Sequence, residues 1–116
     1  IRKICPDCHE EYTPDAAAAA ALKLSDEEAA RTKLVRGSGC DNCFSTGYSG
    51  RTGVFEVLTF PPELRQAVLR ADGQDDLREI AVRNGMMTLE DAARRKVLRG
   101  ETTVEELLRL QTAIVD

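Results

Sequence analysis

With 116 residues, 42% of them hydrophobic, the chain has room for one domain or two small ones. Aromatics make up only 4% and Trp is absent, so any core must be thin and built of Ala, Leu and Val, which suits a small helical body helped by a metal. A net charge of −4 argues against a phosphate-binding surface as the main function, and no apolar run reaches membrane-spanning length.

In chain order, Ile1-Arg2-Lys3-Ile4 alternates apolar and basic residues and predicts a short strand. The start at Ile1 reads as a longer strand that has been cut. Cys5-Pro-Asp-Cys8 follows, and Cys40-Asp-Asn-Cys43 comes after 31 intervening residues; these are all four cysteines. Two residues between paired cysteines let both thiolates turn toward one ion, and two such turns supply a closed tetrahedral shell. Cys5, Cys8, Cys40 and Cys43 are therefore the candidate ligands of one structural Zn2+, and iron in the same four-thiolate shell is the open alternative. A disulfide framework would suit a secreted chain, but no signal peptide is visible. A thioredoxin-like pair would need a βαβ surround that neither pair has. His9, the only histidine, reads as an exposed neighbour, because four cysteines already fill the shell.

Between the cysteine pairs, Thr13-Pro14-Asp15 predicts a helix start with a hydroxyl cap, running into the alanines 16–21. Ser25 and Glu28 form a capping box for a second short helix reaching about Leu34. After Cys43, the glycines of Thr46 to Gly53 mark tight turns. They do not spell the G-x-x-x-x-G-K-[ST] phosphate loop. Arg51 among them reads as solvated or ion-paired rather than anion-binding. Val54 to Leu58 then reads as the main strand, antiparallel to Ile1 to Ile4.

From Thr59 onward the pattern is helical. Pro61-Pro62 opens a helix with Leu64, Ala67, Val68 and Ala71 on one face. Asp75 or Asp76 opens the next, with Leu77, Ile80 and Ala81 inward. Thr88 with Asp91 starts a third helix carrying Leu89, Ala92, Ala93 and Val97. Thr103 and Glu106 box the last, with Val104, Leu107, Leu108 and Gln111 to one side. Arg94, Arg95, Lys96 and Arg99 read as compensation of a negative helix end plus a solvated face. The fold class is thus α+β: a zinc-knuckle segment, residues 1–58, with short antiparallel strands and an inserted helical pair, then a C-terminal helical domain, residues 59–116. Each half carries a net −2, so neither is a basic nucleic-acid arm. If metal closes the first half, a Cys40→Ser change is expected to loosen residues 1–58 and spare the helices after Pro61.

These motifs resemble a known family. Cys5-x-x-Cys8, then Gly39-Cys40-x-x-Cys43 and Thr46-Gly47-Tyr48-x-Gly50-Arg51-x-Gly53-Val54-Phe55-Glu56-Val57-Leu58, resemble the tetracysteine segment of the secretion ATPases, the E proteins of type II secretion and the motors of type IV pilus assembly. Gly85 to Leu89 and Gly100 to Leu107 resemble the C-terminal helical end of the same proteins. The alanines 16–21 carry no family signature. The resemblance implies a part of a hexameric motor: ATP and Mg2+ would bind a RecA-like core earlier in the parent, and no residue here is a catalytic candidate. It implies a cytoplasmic protein, peripheral to the inner membrane, contacting the rest of the ATPase, neighbouring subunits and the inner-membrane platform protein. Neither nucleic acid nor direct membrane insertion is expected. A zinc-ribbon module binding nucleic acid, or a redox or chaperone-like zinc protein, is the alternative; the acidic knuckles, with Asp7, Glu10, Glu11 and Asp41, speak against the former.

Overall fold

A computed structural model describes residues 1–56 and 61–114 of the chain. In order they form β1 (Arg2–Ile4), β2 (His9–Tyr12), α1 (Ala16–Ala21), α2 (Asp26–Arg31), β3 (Leu34–Gly37), a 3-10 turn (Asp41–Cys43), β4 (Tyr48–Arg51), α3 (Pro62–Leu69), α4 (Gln74–Arg83), α5 (Leu89–Leu98) and α6 (Val104–Ile114). The class is α+β, as expected. The strands make two antiparallel pairs, β1 with β4 and β2 with β3. No helix among the described residues is long and apolar enough to cross a membrane.

Several starts and stops follow local chemistry. Ser25 and Glu28 close the expected capping box on α2, and Thr88 accepts a hydrogen bond from the Asp91 amide at the start of α5. Pro62 occupies the first turn of α3. The cap of α1 is Asp15 rather than Thr13: its carboxylate accepts from the Ala18 amide at 2.8 Å. A carboxylate at that place also answers the positive end of the helix.

Two strand expectations change. The second helix stops at Arg31, and Leu34 begins β3, whose residues pair with β2 from His9↔Gly37 to Tyr12↔Leu34. The partner of β1 is Tyr48–Arg51 and not the run from Val54. Val54 to Glu56 form no strand; Val57 and Leu58 lie outside the described residues. The reason is where the chain leaves the second knuckle. The Gly47 carbonyl accepts from the Cys5 amide at 2.9 Å, so the residues directly after Gly47 are the ones laid beside β1. Val54, with the stronger β composition, packs instead against the main core.

That core draws on both ends of the chain. Ala18, Leu22 and Leu34 meet Ala93, Val97, Val104 and Leu107, with Leu34 and Leu107 wholly buried. Thus α5 and α6 pack on the cysteine-bearing half. By contrast, α3 and α4 enclose a small cluster of their own, Leu64, Ala67, Ile80 and Ala81. Val68 and Leu108, expected inward, are about half exposed. The radius of gyration, 17.2 Å, exceeds the roughly 13 Å of a compact chain of this length, which fits a main lobe with the α3–α4 hairpin beside it.

Candidate metal centre

Each cysteine is delivered by backbone that is bonded across to the other pair. Cys5 follows β1, and its amide is held by Gly47 beyond the second pair. Cys8 has its carbonyl bonded by the Ser38 amide at 3.0 Å, so the end of β3 fixes the first knuckle. Cys40 precedes the 3-10 turn and Cys43 ends it, closed by the Ser45 amide donating to the Cys40 carbonyl at 2.8 Å. Gly37 and Gly47 lie face to face where the two segments meet. A Cβ on Gly37 would sit 2.2 Å from the Gly47 carbonyl oxygen, and one on Gly47 would sit 2.5 Å from that of Gly37. Gly47 also takes φ +82°, a left-handed angle that favours glycine. The contact that brings the pairs together therefore has no room for a side chain at either glycine.

The four sulfurs converge as a result. Their Sγ atoms all lie within 4.8 Å of one another. Cys5 to Cys40 and Cys8 to Cys43 are each 3.8 Å, and Cys40 to Cys43 is 3.6 Å. A tetrahedron with metal–sulfur bonds of about 2.3 Å has edges of about 3.8 Å, whereas a disulfide needs about 2.05 Å. All four cysteines are free of disulfides. Cys5 and Cys43 are buried, Cys8 and Cys40 partly so. Backbone amides point at the sulfurs: Gly39 donates to Cys8 at 3.3 Å, and Cys40 and Gly47 both donate to Cys43 at 3.2 Å. Such bonds orient thiolate ligands and offset their charge.

As free thiols, Cys8, Cys40 and Cys43 do not ionise together. Burial pushes Cys8 up to about 12 and raises Cys40. Burial pushes Cys43 the same way, but the amides of Cys40 and Gly47 and the thiols of Cys40 and Cys8 outweigh it and bring Cys43 down to about 6. Cys43 is thus ready as a thiolate at neutral pH, and a divalent ion entering the site would displace the protons of Cys8 and Cys40.

The sequence-predicted residues Cys5, Cys8, Cys40 and Cys43 are all brought together. His9 stays outside the cluster, exposed, with Nδ1 2.8 Å from the Pro6 carbonyl. The late cationic run of α5 is structural in part. Arg94 is buried, donating to the Ala21 carbonyl and pairing with Glu90 and Asp91, while Lys96 reaches Thr52 and Glu101. What sequence reasoning missed is the tie between knuckle and α6. Thr103 caps α6 by accepting from the Glu106 amide, but the Glu106 carboxylate does not complete a box. It turns to β1, accepting from the Arg2 amide at 2.9 Å and from the Arg2 guanidinium at 2.8 and 3.1 Å. Tyr48 on β4 meets the Thr103 hydroxyl at 2.7 Å, and Arg2 lies over the Tyr48 ring.

Residues 1–109 match the family described as Type II/IV secretion system protein. Similar relatives include the type IV pilus assembly ATPase PilB of Thermus thermophilus, 38% identical across 93% of this chain and 12% of that protein. The type II secretion system protein E of Pseudomonas aeruginosa is 38% identical across 95% of this chain and 21% of its own length. The type IV pilus assembly ATPase TfpB of Acinetobacter baylyi is 33% identical across 95% and 19%. The chain spans between 12% and 21% of the length of these three relatives. With the family matched over nearly its whole length and the four cysteines gathered as the spacing required, this chain belongs to the type II/IV secretion system protein family.

Proposed function

We propose that the chain is the zinc-binding, C-terminal region of a cytoplasmic hexameric ATPase that powers type II secretion or type IV pilus assembly. In this reading Cys5, Cys8, Cys40 and Cys43 hold one Zn2+, which closes the 31-residue insert and supplies no chemistry beyond cross-linking. The observation that carries it is the sulfur spacing: three edges of 3.6 to 3.8 Å match a tetrahedral four-thiolate shell, and all four sulfurs lie within 4.8 Å of one another. The division is one of role: residues 1–58 carry the metal, and residues 59–116 supply helices, two of which, α5 and α6, brace the metal lobe. ATP and Mg2+ belong to the rest of the parent, since residues 1–116 contain no G-x-x-x-x-G-K-[ST] loop. Partners are the remainder of that ATPase, neighbouring subunits and the inner-membrane platform protein, reached by contact rather than by insertion into the membrane.

Metal analysis of the purified chain tests this reading. One zinc per chain, lost in Cys40→Ser, and X-ray absorption with four sulfurs at about 2.3 Å are expected. Iron in place of zinc would change the metal, and a zinc-free chain with unchanged structure would remove the structural role. Steady ATP hydrolysis by residues 1–116, abolished by a point mutation among them, would overturn the non-catalytic assignment.

A further inference from the structure

The most exposed large apolar side chain among the described residues is Phe44, 89% accessible, on the tip of the second knuckle. Its backbone is left-handed, φ 56°, and Ser45 follows at 62°. The turn is held by the Phe44 amide donating to the Asp41 carbonyl and the Ser45 amide to that of Cys40, so the ring is carried on a fixed support.

The surroundings are acidic. Residues 5–9 and 38–47 contain no Lys or Arg, and they contain Asp7 and Asp41. Asn42 Nδ2 donates to Asp7 Oδ2 at 3.1 Å, joining the two knuckles at this end. Four thiolates around a divalent ion add two further negative charges. Such a tip repels phosphates, whether of nucleic acid or of anionic lipid headgroups.

The same chain shows what an aromatic ring beside a carboxylate receives. Arg2 lies 4.0 Å over the Tyr48 ring and pairs with Glu106. Arg36 lies 4.7 Å over the Tyr12 ring and pairs with Glu10. Phe44 follows Asp41 by three residues on the turn whose Asn42 binds Asp7, and no guanidinium of the described residues covers its ring. A planar guanidinium suits such a place better than an ammonium, because it stacks on the ring while its N–H groups reach carboxylate.

We propose that the knuckle tip is a docking surface for an arginine-bearing segment of a partner protein, with Phe44 as the seat for the guanidinium and Asp7 and Asp41 as its counter-charges. This rests on the zinc reading above, because the ion shapes the tip and sets its charge.

The test is a titration of the zinc-loaded chain with the peptide acetyl-Gly-Arg-Gly-Arg-Gly amide, followed by amide NMR at low salt. Saturable shifts confined to the knuckles, weaker with the lysine analogue, are expected. Phe44→Gly, which relieves the left-handed backbone and so keeps the fold, should weaken binding about threefold. Asp41→Asn should weaken it further. Absence of saturable shifts, equal binding by Phe44→Gly, or shifts at the tip on adding phosphatidylglycerol vesicles would overturn the proposal. Metal content measured on the same sample separates the two readings. A chain that holds one zinc and ignores the peptide sinks this inference alone, and a chain that holds no zinc sinks both.

Discussion

The metal lobe and the α3–α4 hairpin are built from equally good local signals and are held in different ways. In the hairpin, Leu64, Ala67, Ile80 and Ala81 cluster within a stretch of fewer than twenty residues, and its polar contacts, Arg83 and Asn84 to Glu63, also join α4 to α3 and are exposed. In the metal lobe, the contacts that join its parts link distant residues: Cys5 with Cys40, Arg2 with Glu106, and Leu34 with Leu107 in one core. One tie crosses between the lobes at Glu56, whose carboxylate accepts from Arg78 on α4 and also from the Leu89 amide opening α5 in the main lobe. Caps and apolar stripes therefore say that a helix forms, and only the long-range partner says which lobe it stabilises.

If the four cysteines hold zinc as proposed, the largest expected effect comes from removing it. Structural zinc sites contribute on the order of 10 kcal/mol of apparent binding free energy to folding. Cys40→Ser, or chelation, should loosen residues 1–56. It should also loosen α5 and α6, because Ala93, Val97 and Leu107 share a core with Ala18, Leu22 and Leu34. This revises the expectation that every helix after Pro61 persists: only α3 and α4 have a core of their own. Amide exchange resolves it. Retained protection in α5 and α6 of a metal-free chain would show that the shared core does not need the knuckle.

Next comes a matched pair of core truncations. Leu34 is wholly buried in the main core, and Leu64 is 2% exposed in the hairpin. Either change to Ala should cost about 2–5 kcal/mol locally. Leu34→Ala should lower the global unfolding free energy and zinc retention together. Leu64→Ala should raise exchange in α3 and α4 and leave the metal untouched. Equal loss of zinc in both variants would mean that the chain unfolds as one unit and that the two lobes are not separable.

How far the sequence could be read follows the same divide. The gathering of the four cysteines was legible because each C-x-x-C pair is a local signal and two such pairs leave no cysteine over, and so were Ser25 with Glu28, Thr88 and Pro62, whose chemistry acts within one turn. The β2–β3 pair was not legible. His9-Glu-Glu-Tyr12 has no apolar alternation, and its ladder exists because the knuckle brings Cys8 next to Ser38. Val54 carried the β-branched composition, yet Tyr48-Ser-Gly-Arg51 took the strand, since position after Gly47 outweighed propensity. Glu106 read as a capping partner because the motif is local, and the Arg2 guanidinium that claims it lies 104 residues away.

The smallest effect compares two carboxylates, one in each lobe. Burial alone would raise Glu106, yet the Arg2 side chain and amide hold it below the usual carboxylate range. Glu63 is held low by Asn84 and then Arg83, in the open. For both, the folded value lies below the unfolded one of about 4.3. Their contribution is present above that pH and is lost as pH falls through the folded value. Glu106→Gln should therefore cost stability at neutral pH, about 2 kcal/mol given a half-exposed Arg2 partner. The cost should vanish in acid, with the wild-type and variant curves meeting below about pH 4. Salt separates the lobes: a Glu63→Gln difference in hairpin exchange should fade as ionic strength rises, because that pair lies in solvent. The Glu106→Gln difference, from a carboxylate only 4% exposed, should persist. Equal salt sensitivity would mean that Glu106 is solvated in solution and that the tie between β1 and α6 is a surface contact like the other.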